Sequence, residues 1–156
     1  MILLVVNNKV FNYPDEGEAP GWGNDATMWA KEVTDVLNFL QAPGDIVNSI
    51  ANIDNDQTSP TDVVGLIFSS TNTRNARVTY QVKRSVTGTT VIQSGTLFLD
   101  WDPQSSTWIL THDYTAGDAG VVFSVLPSGQ VQYTSSNMTG AGYVGEIKFN
   151  AKTLPV

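Results

Sequence analysis

Cysteine is absent from the 156 residues, which removes disulfide frameworks, thiol catalysis, zinc ribbons and iron–sulfur centres together. Histidine occurs once, and eight lysines and arginines face fifteen aspartates and glutamates, for a formal net charge of −7. Nucleic acid selects basic surfaces, so it is not an expected partner. Charged residues make up only 15% of the chain, below the roughly 25% of ordinary soluble domains. No apolar run reaches the about eighteen residues of a membrane helix, and no membrane partner is expected. The opening Met1–Val6 is apolar but gives way to Asn7-Asn8-Lys9. It lacks the basic start, longer apolar stretch and small-residue cleavage site of an export signal.

What is present is a β-type composition: 41% hydrophobic residues, thirteen glycines and abundant Ser, Thr, Asn and Gln. At this length a chain can hide roughly 68–70% of its unfolded surface, enough for a core without covalent staples. Acids are uneven. Residues 1–62 hold ten acids and two bases, whereas residues 63–156 hold five acids and six bases. Loops and a solvated helix account for such a skew, and so does an acidic face that docks on a basic partner.

The spacing predicts an N-terminal hairpin, one helix and a run of strands. Leu3–Val6 and Val10–Tyr13 flank Asn7-Asn8, a pair suited to a tight turn. Residues 14–23 form a loop by composition, with Trp22 between two glycines. Asn24 or Asp25 caps a helix of about 17 residues that Pro43-Gly44 closes. Trp29, Val33, Val36 and Leu40 recur on one side of it, while Lys31, Glu32, Asp35 and Asn38 take the other. From Asp45 the period becomes two: Val64/Leu66/Phe68, Val78/Tyr80/Val82, Leu97/Leu99/Trp101, Trp108/Leu110, Val121/Phe123/Val125, Val131/Tyr133 and Ile147/Phe149. Turn signals separate these runs, as in an antiparallel β-sandwich or jelly roll. The expected fold is mainly β, with residues 1–44 as an attachment and oligomerisation region and 45–156 as the sandwich.

Catalytic and ligand motifs are weak. His112 lies within a strand, and adjacent Asp113 points to the opposite face, so adjacency makes no relay. Gly140-Ala141-Gly142-Tyr143-Val144-Gly145 spells a dinucleotide fingerprint, but a strand rather than a helix follows, which removes its chemistry. Asp54-Asn55-Asp56 opens like a calcium loop, yet Ser59 and Gly65 occupy the positions that need glycine and a bidentate glutamate. Asp100 and Asp102 are nominal glycosidase carboxylates, although Asp102 before Pro103 reads as a turn residue. Trp101 and Trp108 are expected to pair across the intervening hairpin. No metal, cofactor or catalytic residue is assigned.

One resemblance emerges. It is carried by Gly95-Thr96-Leu97-Phe98-Leu99-Asp100-Trp101-Asp102 with Ser106-Thr107-Trp108, then Gly117-Asp118-Ala119-Gly120-Val121-Val122-Phe123-Ser124. Gly129-Gln130-Val131-Gln132-Tyr133-Thr134-Ser135-Ser136-Asn137-Met138 and Gly142-Tyr143-Val144-Gly145 complete it. This resembles a β-sandwich module recurring in structural proteins of tailed bacteriophages, in head-decoration or head-fibre proteins and at the ends of tail proteins. Tyr13-Pro14-Asp15 and Gly21-Trp22-Gly23-Asn24-Asp25-Ala26 resemble the segment that precedes that module.

The resemblance implies a non-enzymatic virion protein, made in the host cytoplasm, with no catalytic residues to transfer. Being nearly all module, without a shaft, the chain is expected to be a capsid decoration or cement protein. It would form a homotrimer and dock on a major capsid or tail protein. Trp22, Trp29, Val33, Val36 and Leu40 are the expected interface. The alternative is a tail-tip receptor- or glycan-binding module, with Tyr133 and Tyr143 stacking on sugars. A small hydrolase resting on His112 and Asp100 is the remaining alternative.

Overall fold

A computed structural model describes residues 2–6, 9–13, 27–34 and 44–156, the first two segments as backbone only. The chain divides into two compact units, Met1–Ala42 and Pro43–Val156.

In the first unit, β1 (Ile2–Val6) and β2 (Lys9–Tyr13) form the expected antiparallel hairpin, with Val6 opposite Lys9. Residues 27–34 are helical (α1), within the span that the apolar stripe marks out. Trp29 is 37% exposed, Val33 is half-buried and Lys31 is exposed. Glu32, expected on the solvated side, is instead buried. A carboxylate so placed requires a polar or charged partner, and Glu32 makes such an interaction. Trp22, Val36 and Leu40 lie outside the described residues, as do the expected cap and end of the helix.

The second unit is an antiparallel sandwich. Its strands are β3 (Ile46–Asn52), β4 (Thr61–Ile67), β5 (Thr73–Val86), β6 (Thr89–Asp102), β7 (Thr107–Ala116), β8 (Val121–Val125), β9 (Gln130–Ser135) and β10 (Val144–Pro155). The larger sheet runs in the order β3-β10-β5-β6-β7 and the smaller in the order β4-β9-β8. Each presents one row of side chains to a shared core, as period-two patterning requires. Val78, Tyr80, Val82, Leu97, Leu99, Ile147 and Phe149 from one sheet meet Val63, Leu66, Phe123, Val131 and Tyr133 from the other. Trp101 and Trp108 face each other across the β6–β7 hairpin, ring centroids 5.5 Å apart. Asp102 shapes the turn between those strands, accepting from the Gln104 amide at 2.9 Å and the Ser105 hydroxyl at 2.5 Å. The Ser105 hydroxyl and then the Gln104 amide hold its carboxyl below the ordinary carboxylate range.

The expected inward row of β4 is wrong at one position: Val63 is buried and Val64 is exposed. Gly65, at φ +81°, sits where the β4–β9 register shifts between Asp62 and Ile67. Five steps along β4, from Asp62 to Ile67, oppose two along β9, from Gln132 to Gln130, and this odd excess changes the phase of the alternation across the bulge. The Gln130 amide replaces the lost ladder bonds, donating to Val63 O at 3.0 Å and Leu66 O at 3.2 Å.

Asp45 fastens the start of β3 to β10. Its carboxylate takes Lys152 Nζ at 2.6 Å, the Thr153 amide at 2.7 Å and the Thr153 hydroxyl at 3.0 Å. Burial acts to raise its pKa, but these partners outweigh burial and hold it below 3.8. Among the described residues no helix is long and apolar enough to cross a membrane.

Candidate functional site at the loop end of the sandwich

The inward row of β5 runs Ala76, Val78, Tyr80, Val82, Arg84, Val86, so the alternation that builds the core also carries a guanidinium into it. Arg84 is 0% exposed. Burying a cation is costly unless every donor finds an acceptor. Here Nε donates to the Tyr143 hydroxyl at 2.9 Å, and Nη2 donates to Asn55 Oδ1 at 2.9 Å and to Ser136 O. Nη1 donates to Ala119 O and, at 3.4 Å, to Ser136 Oγ. All of these acceptors are uncharged. They belong to the β3–β4, β7–β8 and β9–β10 connections, so one side chain gathers three loops at one end of the molecule.

The loops are also tied to one another. Asn55 Oδ1 accepts from the Met138 amide at 2.8 Å, and Asn55 Nδ2 donates to Met138 O at 3.0 Å. The Ser135 hydroxyl donates to Asp54 O at 2.5 Å and accepts from the Gln57 amide at 3.1 Å. The Tyr143 hydroxyl donates to Ile53 O at 2.8 Å, and the guanidinium lies 5.5 Å from the Tyr143 ring centroid. Gly120 (φ +65°) sits where a Cβ would approach Ser136 Oγ to 2.0 Å, so only glycine lets these two loops come this close.

A second buried network lies beside the first. Gln93 Oε1 accepts from the Ala119 amide at 3.0 Å, which orients its amide; Nε2 then donates to Val121 O and to the Tyr80 hydroxyl, each at 3.1 Å. The Tyr80 hydroxyl in turn hydrogen-bonds His112 Nε2, 2.5 Å away. Burial lowers the His112 pKa below 6.5 and the Asp113 charge raises it part of the way back. Burial pushes the Tyr80 phenol above 10, with the Gln93 hydrogen bond opposing. The His112 ring rests 3.6 Å, centroid to centroid, from that of Tyr114, which is 54% exposed.

Outside these networks is an open cleft of about 690 Å³. Its walls are Tyr114 on β7, Gly117 and Asp118 in the following loop, Val122 on β8, Gln57 and Thr58 from the β3–β4 connection, and Thr134 and Ser136. Asp118 Oδ1 accepts from the Gly120 amide at 2.7 Å, within the loop. The lining is one aromatic ring, two valines, hydroxyls, an amide and a single carboxylate.

Several sequence-derived candidates fall elsewhere. Tyr133, expected as a sugar-stacking ring, is 1% exposed, and its hydroxyl accepts from the Asp54 amide at 2.9 Å. Its inward position on β9 closes both ring faces against the core, so it offers no platform. Tyr143 is half-buried beneath Arg84 and does not line the cleft. Asp100 Oδ1 accepts from Asn75 Nδ2 at 2.6 Å on the outer face of the large sheet, away from inward-facing His112. The glycines at 140–145 lead into β10, as the pattern required. Among the described residues no three histidines and carboxylates converge as a metal site would need.

Arg84, Gln93 and Tyr114 were not singled out from sequence. Parity could have found the first two: Arg84 continues the Val78/Tyr80/Val82 row, and Gln93 continues the Leu97/Leu99 row backwards through Gly95. A charged or amide residue in phase with a buried row marks a polar hub.

No protein-family model matches the chain, and no curated protein does. Among solved structures it is similar to the tailspike protein of Acinetobacter phage vB_ApiP_P1, at 11% identity and TM-score 0.38, over 72% of this chain and 21% of that one. It is also similar to a tailspike protein of Acinetobacter baumannii bacteriophage Fri1, a capsular polysaccharide depolymerase. There the values are 14% identity and TM-score 0.44, over 79% of this chain and 23% of the other. The chain thus spans under a quarter of the length of either tailspike. These are partial likenesses of β-rich architecture.

Proposed function

We propose that the chain is a non-enzymatic attachment module of a tailed-phage virion and that the loop-end cleft is its contact site, receiving an uncharged sugar of a surface glycan. The observation that carries this reading is the exposed Tyr114 ring beside hydroxyl, amide and carboxylate groups on loops that Arg84 fixes in place. A sugar presents an apolar ring face and a rim of hydroxyls, which such a wall complements. Loops ordered before binding do not charge their ordering entropy to the contact. The module resemblance read from residues 95–145 supports the virion setting. Binding rather than catalysis is supported by the engagement of His112 Nε2 with Tyr80, of Asp100 with Asn75 and of Asp102 with its own turn.

A glycan array probed with the wild-type protein and Tyr114→Ala tests this reading. Selective binding by the wild type, lost in the variant at an unchanged melting temperature, is the expected result. An array with no hits overturns the glycan assignment.

A second reading, capsid decoration, is favoured by the apolar residues exposed on the outer face of the large sheet. Ile50, Ile92 and Leu154 stand among Lys83, Lys148 and Lys152 there. In that reading this face docks on a major virion protein and the helix bearing Trp29 and Val33 joins three copies. Gold labelling of purified particles separates the two: label on heads supports decoration, and label on tails supports receptor attachment.

A further inference from the structure

We propose that the ligand of the cleft is a chain of neutral sugars, which continues from the cleft onto the outer face of the small sheet along the outward residues of β9. This rests on the glycan reading above and names the class of glycan: an extended uncharged oligosaccharide, not a single terminal sugar. The cleft's volume of about 690 Å³ is that of a site for a drug-sized ligand, more than one sugar ring fills. Two of its wall residues, Val122 and Thr134, are cross-strand partners on β8 and β9. Val121, Phe123, Tyr133 and Ser135, which flank them in sequence, are buried. By alternation the pair faces outward, so the cleft wall and the outer face of the small sheet share these two side chains.

That face repeats the chemistry of the cleft wall. Two residues further along β9, about 7 Å on, Gln132 stands between Ser124 on β8 and Asp62 on β4. Its amide donates to Asp62 Oδ1 at 2.7 Å, which holds the side chain across the sheet. Ser124 and Asp62 are exposed, and Val122 and Val64, 60% and 75% exposed, put apolar ground at either end of this row. A sugar ring has an apolar face and a rim of hydroxyls, and the alternation of valine with hydroxyl, amide and carboxylate suits successive rings. Charge selects the occupant. Asp62 is the one charged side chain among the outward residues of β4, β8 and β9, whereas the outer face of the large sheet carries Arg77, Lys83, Lys148 and Lys152. An anionic glycan needs cations, and a protein contact is anchored by aromatic residues and arginine. The outer face of the small sheet has neither, and a neutral polyol needs neither.

An array of neutral gluco-, galacto- and manno-oligosaccharides, each from one to six units long, tests this. In a series that binds, wild-type affinity rises about ten-fold or more between one unit and four. Gln132→Ala removes the amide, and Ser124→Arg fills the row with a long side chain at an exposed position. Both leave one-unit binding unchanged and lose the gain with length. Should Gln132→Ala lower the melting temperature, Ser124→Arg carries the test. Tyr114→Ala abolishes binding at every length, which separates loss of the cleft from loss of the extended row. Equal affinity for one unit and six, or a gain that survives both variants, overturns the extended site and leaves the cleft assignment standing. No binding in any series overturns both.

Discussion

Arg84 is held by five hydrogen bonds to neutral acceptors, and three of those acceptors, Asn55 Oδ1, Ala119 O and Ser136 O, point inward at it from different loops. Arg84→Met keeps the volume of the stem but strands Ala119 O and Ser136 O, each costing about 1–3 kcal/mol when buried without a donor, while Asn55 Oδ1 keeps the Met138 amide. A loss of about 2 kcal/mol or more is expected, read as a fall in the denaturant midpoint. Arg84→Lys does not restore it, because an ammonium cannot reproduce the planar fork. His112 and Asp45 give stability two pH-dependent steps. With a folded pKa below its ordinary 6.5, His112 lets the unfolded chain take up the proton first. Its contribution is complete above about pH 6.5 and declines as pH falls towards the folded value. Asp45, held below 3.8, contributes above that pH and its share is lost as pH falls through its folded pKa. Urea midpoints measured from pH 8 to pH 3 show both steps. His112→Gln, whose amide still hydrogen-bonds Tyr80, removes the first, and Asp45→Asn shrinks the second.

Among the elements, β4 tests how far alternation governs a strand. The Val64/Leu66/Phe68 pattern in the sequence is a valid period-two row, yet Val63 takes the inward place because the register with β9 shifts between Asp62 and Ile67, around Gly65 at positive φ. A Cβ at Gly65 would meet open space, so Gly65→Ala isolates backbone strain, about 1–2 kcal/mol. Gln130→Ala acts on the other half of the same bulge by leaving the Val63 and Leu66 carbonyls unpaired, at about 1–3 kcal/mol. Thermal unfolding of the two variants and their double mutant checks both values. The double mutant loses less than the sum if the bulge relaxes as a unit. Such a feature is hard to read beforehand: Val63-Val64-Gly65-Leu66 permits either valine to face the core, and only the pairing with β9 chooses.

At the scale of the molecule, the ladders join distant parts of the sequence: Ala51 pairs with Ile147, and Thr61 with Tyr133. Closing such loops before any contact rewards them slows folding. Refolding followed by tryptophan fluorescence is therefore expected on the order of milliseconds to seconds. A dominant microsecond phase would contradict this topology.

Hydrophobic spacing and turn residues together set the hairpin, the helical stretch at 27–34, the switch to period two at Asp45 and most of the inward rows, because these depend on contacts between near neighbours in sequence. The same rows held Arg84 and Gln93 in phase with the core, so the buried polar positions were legible in principle. Which loops meet at Arg84, and why Tyr133 is sealed while Tyr114 faces the cleft, were settled by the tertiary structure. Each depends on strands far apart in sequence coming together, and local periodicity carries no record of that distance.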